Sequence, residues 1–259
     1  MQLKKASFYF SLQRKATEYA AGHEVGTRLD SLEHPLVALC AVSGAGKDST
    51  KKALLGDPLY HRVVSHTTRR KRINEGQREV DGVDYHFINR IIAHYMLDNH
   101  KLIEANWYSN NMYGISVAEV EMAAGEGRIP LADIDKNGID KLEKLTQNII
   151  PIFLIPPSFP LWMERLLKRY QGKINYKDLR ERLRVALAEL EHLKTNDHYY
   201  VVINKDLHKT VIEVDMIARG GHAMHRTDEA KKIIDDLIHM LTRLPGTLDD
   251  GVLERLLSK

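Results

Sequence analysis

The sequence predicts an α/β fold with three layers and a mainly parallel sheet. Strand patterns alternate with helical patterns along the chain, and at residues 36–55 one strand leads through a glycine-rich loop into a helix. Such alternation is typical of parallel sheets covered by helices on both faces. The 259 residues, with 43% apolar and 28% charged side chains, are enough for one sizeable core with appendages.

Composition excludes several classes of protein. The net charge of +3 is too small to indicate nucleic-acid binding by itself. The one cysteine, Cys40, rules out a disulfide framework within the chain, which fits a reducing cytoplasm. The most apolar run, Ile149 to Met163, is too short and too rich in proline to span a membrane. We therefore expect a cytoplasmic protein without membrane or nucleic-acid partners.

Helical extensions are predicted at both ends, over residues 1–34 and 220–259. The first has apolar residues that can mostly share one helix face: Phe8, Phe10, Leu12, Ala16, Tyr19 and Ala20. A polar turn around Gly22 to Gly26 is expected to follow it. The second contains two amphipathic patterns, Thr227 to Arg243 and Asp249 to Leu257. The extensions could dock on the core, bind a partner or join two copies into a homodimer.

The stretch Leu36 to Leu55 has the order that a phosphate-binding loop requires. Leu36 to Val42 is an apolar strand, the small residues of Ser43 to Lys47 interrupt it, and a helix begins near Asp48. Glycines allow successive backbone N–H groups to turn toward one anion, and the helix adds the positive end of its dipole. Lys47 is then expected to reach the outer phosphates of a nucleotide.

The match to G-x-x-x-x-G-K-[ST] is imperfect at two positions. Ala41 occupies the first glycine position, and Asp48 stands where a hydroxyl that binds Mg²⁺ is expected, with Ser49 one residue later. We interpret the loop as a variant in which Ser49, Asp48 or both face the Mg²⁺ shell. The alternative is an ordinary glycine-rich turn into a helix.

The remaining strands and helices alternate through the core. Strands are predicted at Tyr60–His66, Tyr85–Ile88, Lys101–Trp107, Arg128–Asp135, Asn148–Ile155 and Tyr199–Asn204. Helices are predicted at Asn89–Asn99, Val117–Ala124, Lys136–Gln147, Pro160–Tyr170, Lys177–Leu193 and Leu207–Ala218. A loop is expected at Ile73 to Asp84 and a turn at Asn110 to Gly114.

Charged residues flank several of these elements. The basic run Arg69 to Arg72 could be a solvated loop or a clamp for a second phosphate. Asp133 and Asp135 end a strand and could bind Mg²⁺ or a polar ligand edge, or cap the following helix. The arginines within residues 165–184 could form a lid over phosphates or a surface stripe paired with glutamates.

Seven motifs in order resemble the guanylate kinases and extend over residues 36 to 216. They are SGAGK at Ser43–Lys47, VSHTTR at Val64–Arg69 with Arg72, DGVDYHF at Asp81–Phe87, IEA at Ile103–Ala105, MYG at Met112–Gly114, ADID at Ala132–Asp135 and VVIN at Val201–Asn204. The resemblance implies a P-loop kinase domain at 35–219, with a GMP-binding subdomain at 66–120 and a helical lid at 165–184. It also implies phosphoryl transfer from ATP, with Mg²⁺, to GMP or dGMP.

The resemblance further implies roles for individual residues. ATP would contact Ser43, Gly44, Ala45, Gly46, Lys47, Asp48 and Ser49, with Asn204 near the adenine. The GMP phosphate would bind Arg69, Arg72, Tyr85 and Tyr113, and the guanine edge would be read by Glu104, Ser65 and Asp135. Catalysis would rest on Lys47, Arg69, Arg169 and Arg182, and the metal ligands would come from Ser49, Asp48 and Asp133.

Three alternative functions are open. Two follow from positions where the sequence departs from the guanylate kinase pattern, and one from inactive modules that share the fold. Lys47-Asp48-Ser49 is similar to ribose 1,5-bisphosphate phosphokinases, although those enzymes would not need Glu104. Ile115 stands where the family usually has Thr or Ser, which would allow a modified purine monophosphate as substrate. A catalytically silent interaction module is the third alternative. Such modules typically have damaged phosphate loops, whereas Gly46 and Lys47 are present here.

Overall fold

The computed structural model describes residues 2–74, 76–170, 172–221, 223–244, 248–249 and 251–252. The chain divides into two compact units, the first made of residues 1–37 and 58–149 and the second of residues 38–57 and 150–259. Both units combine helices with paired strands, and the strand pairs β2–β9 (Tyr60–Arg62, Ile129–Asp133) and β10–β11 (Ile149–Ile155, Tyr200–Ile203) are parallel. The predicted α/β class with a mainly parallel sheet is confirmed.

The first unit contains five of the described helices and eight strands. Its helices are α1 Gln2–Glu18, α2 His23–Asp30, α4 Arg90–Asp98, α5 Val117–Gly125 and α6 Lys136–Leu142. Besides β2 and β9, its strands are β3 His66–Thr67, β4 Ile73–Asn74, β5 Gln77–Arg78, β6 His86–Phe87, β7 Leu102–Tyr108 and β8 Asn111–Ser116. A mixed four-stranded sheet has the order β6-β3-β8-β7, with a register shift in β7 between Leu102 and Glu104.

The second unit contains most of β1 Leu36–Ala41 and of β10, together with β11. Its helices are α3 Lys47–Leu54, α7 Phe159–Lys168, α8 Tyr176–Thr195, α9 Leu207–Ala218 and α10 Asp228–Thr242. The strands lie in the order β11-β10-β1, and Ile152 pairs with Tyr200 in the parallel β10–β11 ladder. Strands β1 and β10 are almost wholly buried, as their uninterrupted apolar sequences require.

Short polar side chains fix where many helices begin. Each accepts a hydrogen bond from a backbone N–H of the first helical turn, which would otherwise lack a partner. The capping residues are Asn89, Ser116, Asp135, Asn175, Asp206 and Thr227. Asp135 therefore does cap the helix after it, as one of the two interpretations of that acid proposed.

Helix α1 packs on the first unit through one apolar face. Leu12, Ala16 and Tyr19 are buried among residues of α4, β7 and β8, whereas Phe8 and Phe10 are 41% and 65% exposed. The N-terminal extension is therefore docked on the chain's own fold over these residues. Whether the extensions also form a homodimer stays a prediction.

The C-terminal extension docks within the second unit. Helix α10 packs on α8, α7 and β11. Arg226, which is buried, donates hydrogen bonds to the carbonyls of Leu193 and Asn196 at the end of α8. The predicted helix at Asp249–Leu257 lies mostly outside the described residues. Among the described helices, none is both long and apolar enough to cross a membrane.

Two predicted turns are wrong. Asn110–Gly114 is mostly strand β8, because antiparallel pairing with β7 leaves only Ser109 and Asn110 to reverse the chain, at φ of 45° and 69°. The expected polar turn at Gly22–Gly26 instead starts helix α2. Gly26 is buried there so close to the Leu145 carbonyl that a Cβ would lie 2.2 Å from its oxygen.

Three other boundaries differ from the prediction. The strand expected at Tyr60–His66 splits into β2 and β3, and the loop expected at Ile73–Asp84 includes the antiparallel ribbon β4–β5. The helix expected at Lys136–Gln147 ends at Leu142. Beyond that end, the Thr146 hydroxyl donates a hydrogen bond to the carboxylate of Asp30 in α2.

Candidate active site

The phosphate loop of the second unit has the backbone geometry that an anion site requires. Gly44 and Gly46 adopt φ of 86° and 95°, a left-handed conformation that favours glycine, and Gly46 is the N-cap of α3. The loop borders a cavity of about 550 Å³, to which Gly44, Gly46, Lys47, Asp48 and Ser49 contribute. The predicted strand, loop and helix order is confirmed.

Two side chains outside the loop hold its carbonyl groups. The indole N–H of Trp162 donates to the Ser43 carbonyl at 2.7 Å, and the Asn204 amide donates to the Ala45 carbonyl at 2.7 Å. In a trans peptide the N–H points opposite to the C=O. The N–H groups of Gly44 and Gly46 are therefore turned away from these two side chains.

Asn204 is buried and braced on both sides of its amide. Its Oδ1 accepts from the Thr210 hydroxyl at 3.1 Å, and a Cβ on Gly46 would lie 2.2 Å from its Nδ2. The contacts of Asn204 thus reach the phosphate loop. Its predicted place near an adenine stays a prediction.

Three arginines from the predicted lid reach the phosphate loop or its neighbours. Arg169 and Arg182 both donate to the Ser43 hydroxyl, at 3.2 and 3.1 Å, and Arg165 donates to the Asn204 carbonyl at 3.0 Å. The other two, Arg180 and Arg184, are exposed. Arg184 pairs with Glu181 on the surface, as the stripe interpretation expects for part of the segment. The lid over phosphates stays a prediction.

The start of α3 offers oxygen ligands suited to a divalent cation. Asp48 and Ser49 are exposed at the cavity, and the Asp48 carboxylate lies 3.9 Å from Lys47 Nζ and 3.7 Å from Arg169. Thr50 is buried, and its hydroxyl bonds the Gly46 carbonyl. The residues present fit Mg²⁺, which prefers carboxylate, hydroxyl and water oxygens, with Asp48 and Ser49 as candidate ligands.

The first unit holds a buried arginine with one unpartnered donor group. Arg69 is only 8% exposed, and its two terminal nitrogens bond the Glu79 carboxylate at 2.7 and 2.8 Å. Its Nε has no hydrogen-bond partner. The rings of Tyr85 and Tyr113 lie 5.9 Å apart, and the Tyr85 ring is 5.2 Å from the guanidinium. The unpartnered Nε leaves this guanidinium one further hydrogen bond to donate, which suits an anionic ligand.

Glu79 is held as an anion by its neighbours. Its hydrogen bonds from Arg69 and from the Arg72 backbone N–H lower the pKa of Glu79 to about 2. The same ion pair raises the pKa of Arg69 above its usual range. The side chain of Arg72 itself is exposed. Glu79 therefore neutralises and orients Arg69 rather than acting as an acid.

Two further acidic residues, Glu104 on β7 and Asp135 at the start of α6, share one hydrogen-bond partner. Asn106 donates through its side-chain amide to both Glu104 and Asp135, each at 3.0 Å. Burial, and then the charge of Asp135, raises the pKa of Glu104 to about 8. Gly138 approaches so closely that a Cβ there would lie 3.3 Å from the Glu104 carboxylate. Two predicted base-reading acids are thus brought together by a residue that was not predicted.

Three other predicted residues lie in the first unit with less specific surroundings. Ser65 is half-buried, and its carbonyl accepts from the His86 N–H at 2.9 Å. Asp133 ends β9. Burial is the main cause that raises the pKa of Tyr85, and the charge of Asp133 adds to it. Ile115 has a fully buried side chain, while its backbone N–H supports the Glu104 carboxylate. The roles of Ser65 and Asp133 stay predictions.

Comparison with known proteins identifies the family of the chain. The guanylate kinase family model matches residues 33–219. The chain belongs to the guanylate kinase family. It is 37% identical over 205 residues to the guanylate kinase of Bartonella quintana, covering 78% of this chain and 89% of that protein. It is 31% identical over 214 residues to the guanylate kinase of Brucella melitensis, covering 82% and 93%.

A solved structure extends the comparison to three dimensions. The crystal structure of guanylate kinase from Anaplasma phagocytophilum is 25% identical, with a TM-score of 0.55. The match covers 84% of this chain and all of that one. The family match begins after α1 and α2 and ends before α10.

Sequence reasoning missed three residues of this guanylate kinase site. Asn106 follows Glu104 by two positions on the same strand, so a period of two could have found it. Glu79 is one of several acids close to a basic run, and the sequence does not distinguish it from the others. Trp162 is fully buried in an amphipathic helix, and no sequence signal separates its role from ordinary core packing.

Proposed function

We propose that the protein transfers the γ-phosphoryl group of ATP to GMP or dGMP, with Mg²⁺. The observation that carries this proposal is the acceptor site of the first unit. It combines two neighbouring carboxylates, buried Glu104 and exposed Asp135, with the buried Arg69, whose Nε has no hydrogen-bond partner. A guanosine monophosphate offers a matching set of donors and a matching anion.

The guanine would be read by Glu104. An ionised carboxylate can accept from guanine N1–H and N2–H₂ together, whereas adenine presents no such pair of donors. Asp135 would supply a further acceptor, and Ser65 a hydroxyl. Asn106 bridges Glu104 and Asp135 through a 3.0 Å hydrogen bond to each carboxylate.

The acceptor phosphate would be bound by Arg69, Arg72, Tyr85 and Tyr113. Arg69 would use its unpartnered Nε and the adjacent terminal nitrogen, because Glu79 already occupies the other edge. This edge-on geometry gives two parallel hydrogen bonds to phosphate oxygens. The exposed side chain of Arg72 is available to move onto the same group.

The triphosphate of ATP would lie on the loop Ser43–Ser49. Backbone N–H groups of the loop and the α3 dipole would bind the phosphates, and Lys47 would reach the outer ones. Asp48, Ser49 or both would hold Mg²⁺, with Asp133 proposed as a further ligand; when bound, the metal neutralises phosphate charge. Lys47, Arg69, Arg169 and Arg182 would stabilise charge in the transition state without a covalent intermediate.

We also propose the domain boundaries implied by these roles. The kinase domain spans 35–219, the GMP-binding subdomain 66–120 and the lid 165–184. Residues 1–34 and 220–259 are extensions, and a homodimer through them is a separate proposal. We propose a cytoplasmic location, where ATP and GMP are available.

A coupled ADP-release assay tests the proposal. Purified protein with ATP and Mg²⁺ is offered GMP, dGMP, AMP, UMP and ribose 1,5-bisphosphate in separate reactions. Turnover confined to GMP and dGMP is expected. Turnover only with the sugar phosphate would overturn the base-reading roles, and no turnover in folded protein would favour an interaction module.

A further inference from the structure

We propose that the end of helix α1, residues Thr17–Tyr19, forms an outer layer of the guanine-reading site and sets its selectivity. This inference rests on the proposed function, because it assigns Glu104 to the guanine edge. The residues lie outside the part of the chain that the family model matches, 33–219. The N-terminal extension would then be part of the acceptor site rather than an appendage.

The first contact is made at the irregular point of β7. The register of β7 against β8 shifts between Leu102 and Glu104, and the Tyr19 hydroxyl donates to the Leu102 carbonyl at 2.6 Å. Such irregularities redirect the side chains beside them, and the side chain beside this one belongs to Glu104. Tyr19 is 6% exposed, so no water competes freely for the bond. The hydroxyl therefore fixes the backbone from which Glu104 projects.

The second contact acts on the charge of Glu104. Lys141 of α6 donates to the Thr17 carbonyl at 3.4 Å, near the negative end of the α1 dipole. The charge of Lys141 favours the ionised form of Glu104, against the burial and the Asp135 charge that raise its pKa. Helix α1 thus holds in place the cation that opposes protonation of the base-reading acid.

Helix α1 is seated firmly enough to position these groups. Leu12 and Ala16 are fully buried in the same apolar cluster as Leu102 and Ala105 of β7. The Tyr9 ring also meets the Trp107 ring edge-on at 5.4 Å, nearer the other end of β7. Several turns of α1 therefore pack along β7, the strand that carries Glu104.

Steady-state kinetics of Tyr19→Phe test the first contact. The variant keeps the ring and loses the hydroxyl, so KM for GMP should rise about 5- to 10-fold while KM for ATP is unchanged. The ratio of kcat/KM for GMP to kcat/KM for AMP should fall by the same factor. Tyr9→Phe is the matched control, since its hydroxyl bonds Asn110 at the hairpin turn. An unchanged KM for GMP, or equal changes for both substrates, would overturn the proposal.

The pH profile of Lys141→Met tests the second contact and also serves if Tyr19→Phe does not fold. The apparent pKa in kcat/KM for GMP should move upward, because the cation that favours the carboxylate is gone. Lys144→Met, at an exposed position two residues past α6, should leave the profile unchanged. An unshifted profile for Lys141→Met contradicts the proposal. If the wild-type protein does not turn over GMP, the proposed function fails instead.

Discussion

The two units of this guanylate kinase family member build their candidate sites from different materials. In the second unit one continuous loop, Ser43–Ser49, presents backbone groups around a cavity. In the first unit the site consists of side chains from separate elements. They include Arg69 after β3, Glu104 on β7 and Asp135 at the start of α6.

This difference changes what each site depends on. The loop needs left-handed glycines and side chains that hold its carbonyl groups, so its electrostatics come mainly from fixed dipoles. The acceptor site needs charges to be buried and partnered. Glu79 is kept ionised by Arg69, whereas Glu104 is pushed toward its protonated form. The acceptor site should therefore be sensitive to pH and the loop much less so.

The largest effect is expected at Lys47, the side chain of the loop that would reach the outer phosphates. Lys47→Ala should lower kcat by at least about 10³-fold, because a cation on the transferred phosphoryl group is lost. The ADP-release assay measures this, and calorimetry with GMP alone should show unchanged binding. Near-wild-type turnover would contradict the phosphate-loop assignment.

The next effect concerns the base-reading acid. Glu104→Gln should lower kcat/KM for GMP by about 100-fold, since two charge-assisted hydrogen bonds to guanine weaken. KM for ATP should stay unchanged, and so should the weak turnover of AMP. Retained preference for GMP over AMP would remove the role of Glu104.

A pH series separates the two sites without mutation. The pKa of Glu104 is raised to about 8, so the free protein carries a proton on it at lower pH, and guanine binding must displace that proton. KM for GMP should therefore fall as pH rises from about 6 to about 8, by up to about tenfold per unit. KM for ATP should vary less. Glu104→Gln should flatten the GMP profile.

A smaller effect is expected at Glu79, which would act on the acceptor phosphate only through Arg69. Glu79→Gln should raise KM for GMP about tenfold, because Arg69 loses the anion that fixes its edge. Thermal unfolding should also show a loss of about 2 kcal/mol from the partly unpaired buried charge. A lower KM for GMP would mean that Glu79 competes with the phosphate instead.

The smallest effect is expected at Trp162, which donates a hydrogen bond to the Ser43 carbonyl of the phosphate loop. Trp162→Phe keeps an aromatic ring under Ser43 but removes the hydrogen bond to its carbonyl. KM for ATP should rise about threefold, as for one neutral hydrogen bond. KM for GMP serves as the internal control. A change confined to GMP would contradict the separation of the two sites.

The same contrast explains what the sequence could predict. The loop was predictable because strand, glycines, lysine and helix are contiguous, and periodicity located α8 and β10 within a few residues. The contacts of Asn106 with Asp135 and of Glu79 with Arg69, in contrast, form only because the folded chain brings the partners together. The turn expected at Asn110–Gly114 was wrong for the same reason: its residues pair with β7, and local composition does not reveal that partner.

The tryptophan that holds the phosphate loop also has an optical consequence. The chain has two tryptophans, and each unit contains one: Trp162 against Ser43, and Trp107 on β7 beside the Tyr9 ring. Indole emission responds to the polarity and hydrogen bonding of its surroundings. Replacing either ring by phenylalanine leaves a protein with a single tryptophan. Each unit, with its candidate site, thereby acquires its own intrinsic fluorescent reporter, with no dye attached.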